Sequence, residues 1–284
     1  MEKYYCFAGV EISVHVDQDW MYDNDRTLAP FRVQQVTAPQ HFYFTIVDAP
    51  TPPKGQCIAV MDNFLVYAQG DVLVRYTGAQ NGDWKTAYMR TEHLGMEHLV
   101  ELKSSVYVAG MSAKTVLNAI EAEHLIARSG GFVFHSSYIR LGDRAVLFTA
   151  PSGTGKSTQA ELWRTLRNAE IINGDRSVVR IAECIPVADG LPYAGSSQIC
   201  KKKTLPLAAI VYLKQAPQTT IRRLCGAEAF RRVWEGCSIN IWDKEDIMLV
   251  SDTVQRVVMT VPVYELACTP DESAIIALEG VLMG

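Results

Sequence analysis

Lys156 and Ser157 close the stretch APSGTGKS at residues 150–157, and together they suit one task, gripping a polyphosphate. A lysine at this place reaches β- and γ-phosphate oxygens, and the adjoining hydroxyl ligates Mg²⁺. Gly153 and Gly155 let the main chain turn sharply and bring its N–H groups close to an anion. Ser152, Thr154 and Thr158 complete the expected lining of the phosphates, beside Gly153, Gly155, Lys156 and Ser157. The pattern is GxxxxGK[ST] with Ala150 in place of its first glycine. In this relaxed form it arises by chance in roughly 1–2% of chains this long, so its flanks must decide.

A phosphate grip does not define a reaction. Transfer also needs a group that orients the attacking oxygen and accepts its proton. Asp175, in EIINGDRSVV, follows a short apolar strand eighteen residues after Ser157. A carboxylate at the C-terminal end of a strand beside the loop strand points into the same crevice. Asn173-Gly174-Asp175 also reads as a plain hairpin turn, and the placement one helix and one strand after the loop favours the active reading. His135 ends GFVFH, fifteen residues before Ala150. Taken alone it reads as a structural histidine, but pairing of its strand with the loop strand brings it near the phosphates.

These residues need elements to hold them. Ala145-Val146-Leu147-Phe148 reads as the strand entering the loop, and 156–167 as the helix leaving it, which is the context a phosphate loop requires. Further strands are expected at 132–135, 171–172, 178–181 and 208–213, with helices at 227–235, 244–259 and 271–283. Residues 112–128 have apolar residues at helical spacing, with Ser112 as N-cap and Gly130-Gly131 as stop. Before that the pattern is strands and turns: 42–47, 57–60, 64–67, 72–76 and 105–108. The expected organisation is therefore a β-rich (α+β) N-terminal domain over 1–110 and an α/β domain over 111–284, with the boundary somewhere in 110–130.

Composition narrows the functional classes. The chain has 284 residues, 48% of them hydrophobic and 20% charged, and a formal charge of −4. Residues 1–130 carry 10 basic and 15 acidic side chains, residues 131–284 carry 17 and 16, so an anion site belongs in the second part. That balance argues against binding nucleic acid by phosphate neutralisation. No apolar run approaches the roughly 20 residues needed to span a bilayer, and no signal peptide is evident. Seven cysteines without a CxxC pair suit reduced thiols and a cytoplasmic location.

Several other groups invite a role. Lys201-Lys202-Lys203 reads as a solvated face or an anion contact, and Arg222, Arg223, Arg231 and Arg232 offer an arginine finger that spacing does not single out. Gly195-Ser196-Ser197 could add amide donors. His93 and His98 are five apart, which is not one helical face, so a turn explains them better than a metal.

His135, the loop with Lys156 and Ser157, and Asp175, in this order, resemble the kinase domain of HPr kinase/phosphorylase. They resemble more closely the HPr-kinase-like ATPases with the reading FTAxSGTGKSTxxxLW…INGD, a group sharing its nucleotide-binding core with phosphoenolpyruvate carboxykinase. The resemblance covers roughly residues 130–284. It implies an α/β P-loop domain of the HPr-kinase C-terminal type, ATP (or another NTP) and Mg²⁺ as cofactors, and phosphoryl transfer to a serine or threonine hydroxyl of a protein or peptide. It also implies Asp175 as proton acceptor, His135 beside the transferred group, and a homo-oligomer as one partnership to test. The sequence departs from the family at Gly174, where the first of paired aspartates is usual, and at Thr158, where true HPr kinases have glutamate. DGLPYAGSSQICKKK (189–203) resembles the TPWxG turn of the HPr-kinase-like group, and no counterpart is found of the segment linked to the reverse, dephosphorylating reaction. Two rival readings remain open: a small-molecule kinase, and an NTP-binding regulator or ATPase without an acceptor.

Overall fold

The computed structural model describes residues 2–16, 26–37, 39–108 and 112–282. The chain divides into two compact units, Met1–Ala122 and Glu123–Gly284, where the sequence reading placed the division after residue 110.

The first unit is built on strands β1 (Glu2–Phe7), β2 (Val10–Val16), β3 (Arg32–Val33), β4 (Gln40–Val47), β5 (Gln56–Val60), β6 (Phe64–Gln69), β7 (Val72–Thr77), β8 (Met89–Leu94) and β9 (Glu97–Lys103). Among the described residues they form one mixed sheet in the order β3-β1-β2-β4-β9-β8-β7-β6-β5. The β2–β4 and β4–β9 pairs are parallel. Short helices follow at α1 (Ser104–Val108) and α2 (Ala113–Ala119), and α3 (Ala122–Arg128) opens the second unit.

Two expectations are corrected here. Residues 105–108, read as a strand from their β-branched and aromatic content, are helical, an instance of context overriding β-propensity. The single helix expected over 112–128 is two. Ser112 does cap the first, accepting from the Thr115 N–H, but Glu121 takes φ 49° and breaks the run before α3.

The second unit comprises β10 (Gly131–Leu141), β11 (Arg144–Thr149), α4 (Lys156–Arg167), β12 (Glu170–Asn173), β13 (Arg176–Ala182), β14 (Ile185–Gly190), β15 (Thr204–Gln215), β16 (Thr220–Leu224), α5 (Gly226–Trp234), β17 (Cys237–Ser238), α6 (Lys244–Thr260), β18 (Val263–Cys268) and α7 (Glu272–Leu282). Residue 283, expected in the last helix, lies outside the described residues. The expected alternation of strands and helices is only partly right. The β11–β15 and β15–β18 pairs are parallel, whereas β10 and β14 pair antiparallel with their neighbours.

Central strands of this sheet are apolar on both faces because helices cover both. Val146 and Phe148 of β11 point toward α4 and α7, joining Trp163, Ile275 and Leu278. Ala145 and Leu147 point the other way, joining Val233, Val254 and Val257 of α5 and α6. Along α4 the buried residues Lys156, Gln159, Ala160 and Trp163 recur at helical spacing, and Trp163 is fully buried. The helix stops at Asn168, which takes the left-handed conformation.

One strand fixes the geometry of the site. The first half of β10 pairs with β13, ending at His135↔Arg176, and its second half pairs with β11, starting at Ser136↔Thr149. His135 therefore stands where β10 leaves one partner for the other, between the end of the loop strand and the turn that carries Asp175.

Candidate functional site

The loop between β11 and α4 has the backbone that its glycines permit. Gly153 takes φ 78° and Gly155 φ 114°, and Gly155 is the N-cap of α4. A Cβ at either position meets nothing within 4 Å, so conformation alone requires glycine here. Lys156 is buried while Ser157 and Thr158, on the first turn of α4, are exposed. The Lys156 ammonium donates to the carbonyl oxygens of Ala150 at 3.0 Å and Pro151 at 3.4 Å, spanning the loop. An ammonium has three donors, so one N–H is left for a ligand. Burial lowers the Lys156 pKa, and the Asp175 carboxylate opposes that shift.

Asp175 sits on a turn held by its neighbour Asn173. The fully buried Asn173 side chain accepts from the N–H groups of Asp175 and Arg176, both at 3.0 Å, and donates to the Leu191 carbonyl at 2.8 Å. Gly174 carries the turn against the phosphate loop: its carbonyl accepts from Ser157 Oγ at 3.4 Å and from Ser137 Oγ at 3.1 Å. The Asp175 carboxylate lies 3.6 Å from His135 Nε2 and 3.9 Å from Arg176 Nε. The His135 imidazole first, then Arg176 and Lys156, hold its carboxyl below the ordinary range against the opposing effect of burial. Thr149, the last residue of β11, donates from Oγ1 to the His135 carbonyl at 3.0 Å.

Spacing pointed to Lys156, Ser157, Asp175 and His135, and the fold sets them near one another: Asp175 lies beside His135, influences the Lys156 ammonium, and sits on the turn that Ser157 contacts. Ser152 and Gly153, on the loop itself, are exposed at its tip, and Thr154 is half-buried. Four of the other charged candidates are engaged elsewhere. Lys201 and Lys203 pair with Glu170. Arg222 pairs with Glu228 and Glu265. Arg232 stacks on the Tyr212 ring at 4.4 Å and pairs with Glu235.

The turn 195–197, weighed from the sequence as a source of amide donors, packs against Asp175, whereas Tyr193 and the cavity beside the loop were not singled out. Gly195 packs so closely on Asp175 that a Cβ there would lie 2.6 Å from the Asp175 Cβ. The 195–197 turn thus acts as a backstop for the carboxylate. The side chain of Ser196 lies outside the described residues. Tyr193, before the turn, receives the Arg176 guanidinium at 4.7 Å on its ring face. Beside the loop, a cavity of about 570 Å³ is bounded by Thr154, Thr158 and Gln159 and by the ends of β15 and β18 at Gln215, Cys268 and Thr269. Its size lies within the range of small-ligand sites. The only trace of it in the sequence is its position after two strands parallel to β11.

The donor set fits a magnesium-bound triphosphate: amides at a helix N-terminus, a desolvated lysine, a solvent-facing serine hydroxyl and a carboxylate opposite. Comparison with known proteins finds no matching family model and no matching curated protein. Among solved structures, the Hpr(Ser) kinase/phosphatase from Coxiella burnetii is similar at 11% sequence identity, over 53% of this chain and 88% of that one, with a TM-score of 0.31. A likeness that distant leaves the site to be read from its own geometry. No helix among the described residues is long and apolar enough to cross a membrane.

Proposed function

We propose that the unit Glu123–Gly284 is a Mg²⁺-dependent, ATP-dependent phosphotransferase that acts on a hydroxyl, that of a serine or threonine in a protein or peptide. One observation carries this reading: Ser157, on the first turn of α4, and the Asp175 turn share a crevice, linked by the 3.4 Å contact of Ser157 Oγ with the Gly174 carbonyl. Lys156 and Asp175 lie close enough that each shifts the other's pKa. The serine or threonine acceptor follows from the sequence resemblance of residues 130–284.

Mg²⁺-ATP, when bound, supplies the phosphoryl group and the cation that neutralises charge on its oxygens. The residues of this chain do the rest. Main-chain N–H groups of 153–157 face the phosphates, and the N-terminal end of the α4 dipole favours their charge. Lys156 holds the β- and γ-oxygens, and Ser157 Oγ offers a ligand to the cation. Asp175, kept ionised, orients the acceptor hydroxyl and takes its proton as the acceptor oxygen bonds to phosphorus and the bond to the β-phosphate oxygen breaks. His135 holds the carboxylate in place and places positive charge beside the transferred group when protonated.

Incubation with radiolabelled ATP tests the assignment. Label on a co-incubated protein or peptide supports it; label on a metabolite, or release only as free phosphate, replaces it with one of the rival readings. In Asp175→Asn, phosphoryl transfer should fall by about 10²–10⁴-fold with ATP binding largely kept, the range expected for loss of a general base. Transfer at the wild-type rate removes Asp175 from that role.

A further inference from the structure

The sheet of the first unit carries a cluster that the phosphotransfer reading does not use. Strands β1, β2 and β4 are adjacent, and their register sets Glu2 opposite His15, Ser13 opposite His41, and His15 opposite Tyr43. Paired residues share a face, as do residues two apart, so all five side chains stand on one side of the sheet. Ser13 Oγ lies 2.9 Å from His15 Nε2 and 2.7 Å from His41 Nδ1. His15 Nε2 is 3.3 Å from Glu2 Oε1. The ligand atoms of Glu2, His15 and His41 all lie within 4.8 Å of one another. The His15 ring is stacked on Tyr43 at 4.4 Å and 15°, which fixes the direction of its nitrogen.

Two other histidine clusters show what this one is not. His124 faces Asp243 and Asp246, but Arg128 sits among them, with Nε 3.2 Å from Asp246 and Nη2 3.3 Å from Asp243. The guanidinium already supplies the cation there. His93 and His98 face each other across the β8–β9 pair with their Nδ1 atoms 2.9 Å apart. Their Nε2 atoms are taken by Glu121 and Gln40. That is a hydrogen-bonded chain, not a ligand set. At His15 and His41 the two imidazole nitrogens bonded to the buried Ser13 hydroxyl also converge with a carboxylate oxygen, that of Glu2.

We propose that Glu2, His15 and His41 bind a divalent transition-metal ion of the zinc type, with Ser13 Oγ beside it and one coordination position open. Two imidazoles and a carboxylate are a donor set that zinc and its neighbours in the first row accept, and three protein ligands leave a place for water or a further ligand. The two imidazoles favour a zinc-type ion over the hard cation Mg²⁺ that the phosphate loop would hold, so the two sites are chemically separable.

The full chain, stripped with a chelator, is titrated with Zn²⁺ by calorimetry and with Co²⁺ by visible absorption and paramagnetic NMR. One saturable site is expected. His15→Ala and His41→Ala should each weaken it by at least about 10–100-fold, their double variant should lose it, and His124→Ala should leave it intact. Zn²⁺ should raise the melting temperature of the wild type and not of the double variant. In the Co²⁺ form, two shifted imidazole N–H resonances report the ligands without any substitution, which decides the matter should a variant not fold. Absence of saturable binding, a thiolate-type Co²⁺ spectrum, or equal affinity in the double variant overturns the assignment.

Discussion

His135 Nε2 lies 3.6 Å from Asp175 Oδ1, at the place where β10 passes from β13 to β11. The separation is too long for a made hydrogen bond. The His135 imidazole there keeps the Asp175 carboxyl below its ordinary range, with Arg176 and Lys156 adding to the effect. The sign follows: a depressed carboxylate contributes stability that is present above the unfolded value of about 3.9 and lost as pH falls through the folded one. Replacing His135→Gln removes the largest of these influences. The acidic limb of the kcat/KM profile for phosphoryl transfer should then move to higher pH. A limb that stays in place shows that His135 does not tune Asp175.

Gly155 permits a second test, because a Cβ there meets no neighbour and yet its φ of 114° disfavours any side chain. Gly155→Ala should cost about 1–3 kcal/mol of backbone strain. If the loop relaxes to escape it, the N–H groups turn away from the phosphates. Equilibrium unfolding and ATP titration together check this: lower stability, weaker nucleotide binding, or both. A variant unchanged in both measurements means that the loop conformation is not required.

Much of this crevice was legible beforehand because each part is a local signal. Glycines in a strand–turn–helix context specify the loop, and Lys156 and Ser157 follow it directly. Asp175 was legible as following a strand end, since an α/β sheet collects strand ends at one edge; His135 was read as a strand end too, but β10 runs on through it to Leu141 and only changes partner there. What spacing cannot show is which segments return to that edge from a distance. Gly195 against Asp175, and the ends of β15 and β18 beside the loop, depend on pairings such as Phe148↔Val211 and Tyr212↔Glu265, which no local pattern encodes. The same limit hid the first unit's histidine pairs. A separation of five from His93 to His98 is the wrong spacing for a helix face, but the turn that explains it places the two rings side by side.

Gly174 stands where the resembling family usually has an aspartate, and its surroundings account for glycine. A Cβ on Gly174 would lie 2.0 Å from Ser197 Oγ and 2.5 Å from Ser197 Cβ, so the 195–197 turn occupies that space. Gly174→Asp alone should therefore destabilise the unit and displace the turn that backs Asp175. Ser197→Gly removes both clashing atoms, at the loss of its hydroxyl's bonds to the Ala194 carbonyl and the Ile199 N–H. The double variant should be more stable than the sum of the two single effects, by at least about 0.5 kcal/mol of favourable coupling in a double-mutant cycle. Additive effects dismiss the steric account.

Glu121 joins α2 to α3 at φ 49° and buries its carboxylate, accepting from Arg75 Nη1 at 2.8 Å and paired with His93 Nε2 at 2.7 Å. Burial by itself would raise its pKa; the Arg75 charge and then His93 outweigh burial and hold it far below the ordinary range. Stability from this contact is thus present above the unfolded value of about 4.3 and lost as pH falls through the folded one. Glu121→Gln keeps the shape and removes the charge, leaving the Arg75 guanidinium enclosed over the Phe64 ring without its counter-ion. The loss should be about 3–5 kcal/mol in urea unfolding near neutral pH. It should shrink as acid neutralises the wild-type carboxylate. Arg75→Met in the same chain should recover much of it, since an apolar pair no longer buries an unpaired charge. A single-variant loss below about 1 kcal/mol, or no recovery in the double variant, shows that the ion pair does not hold this junction.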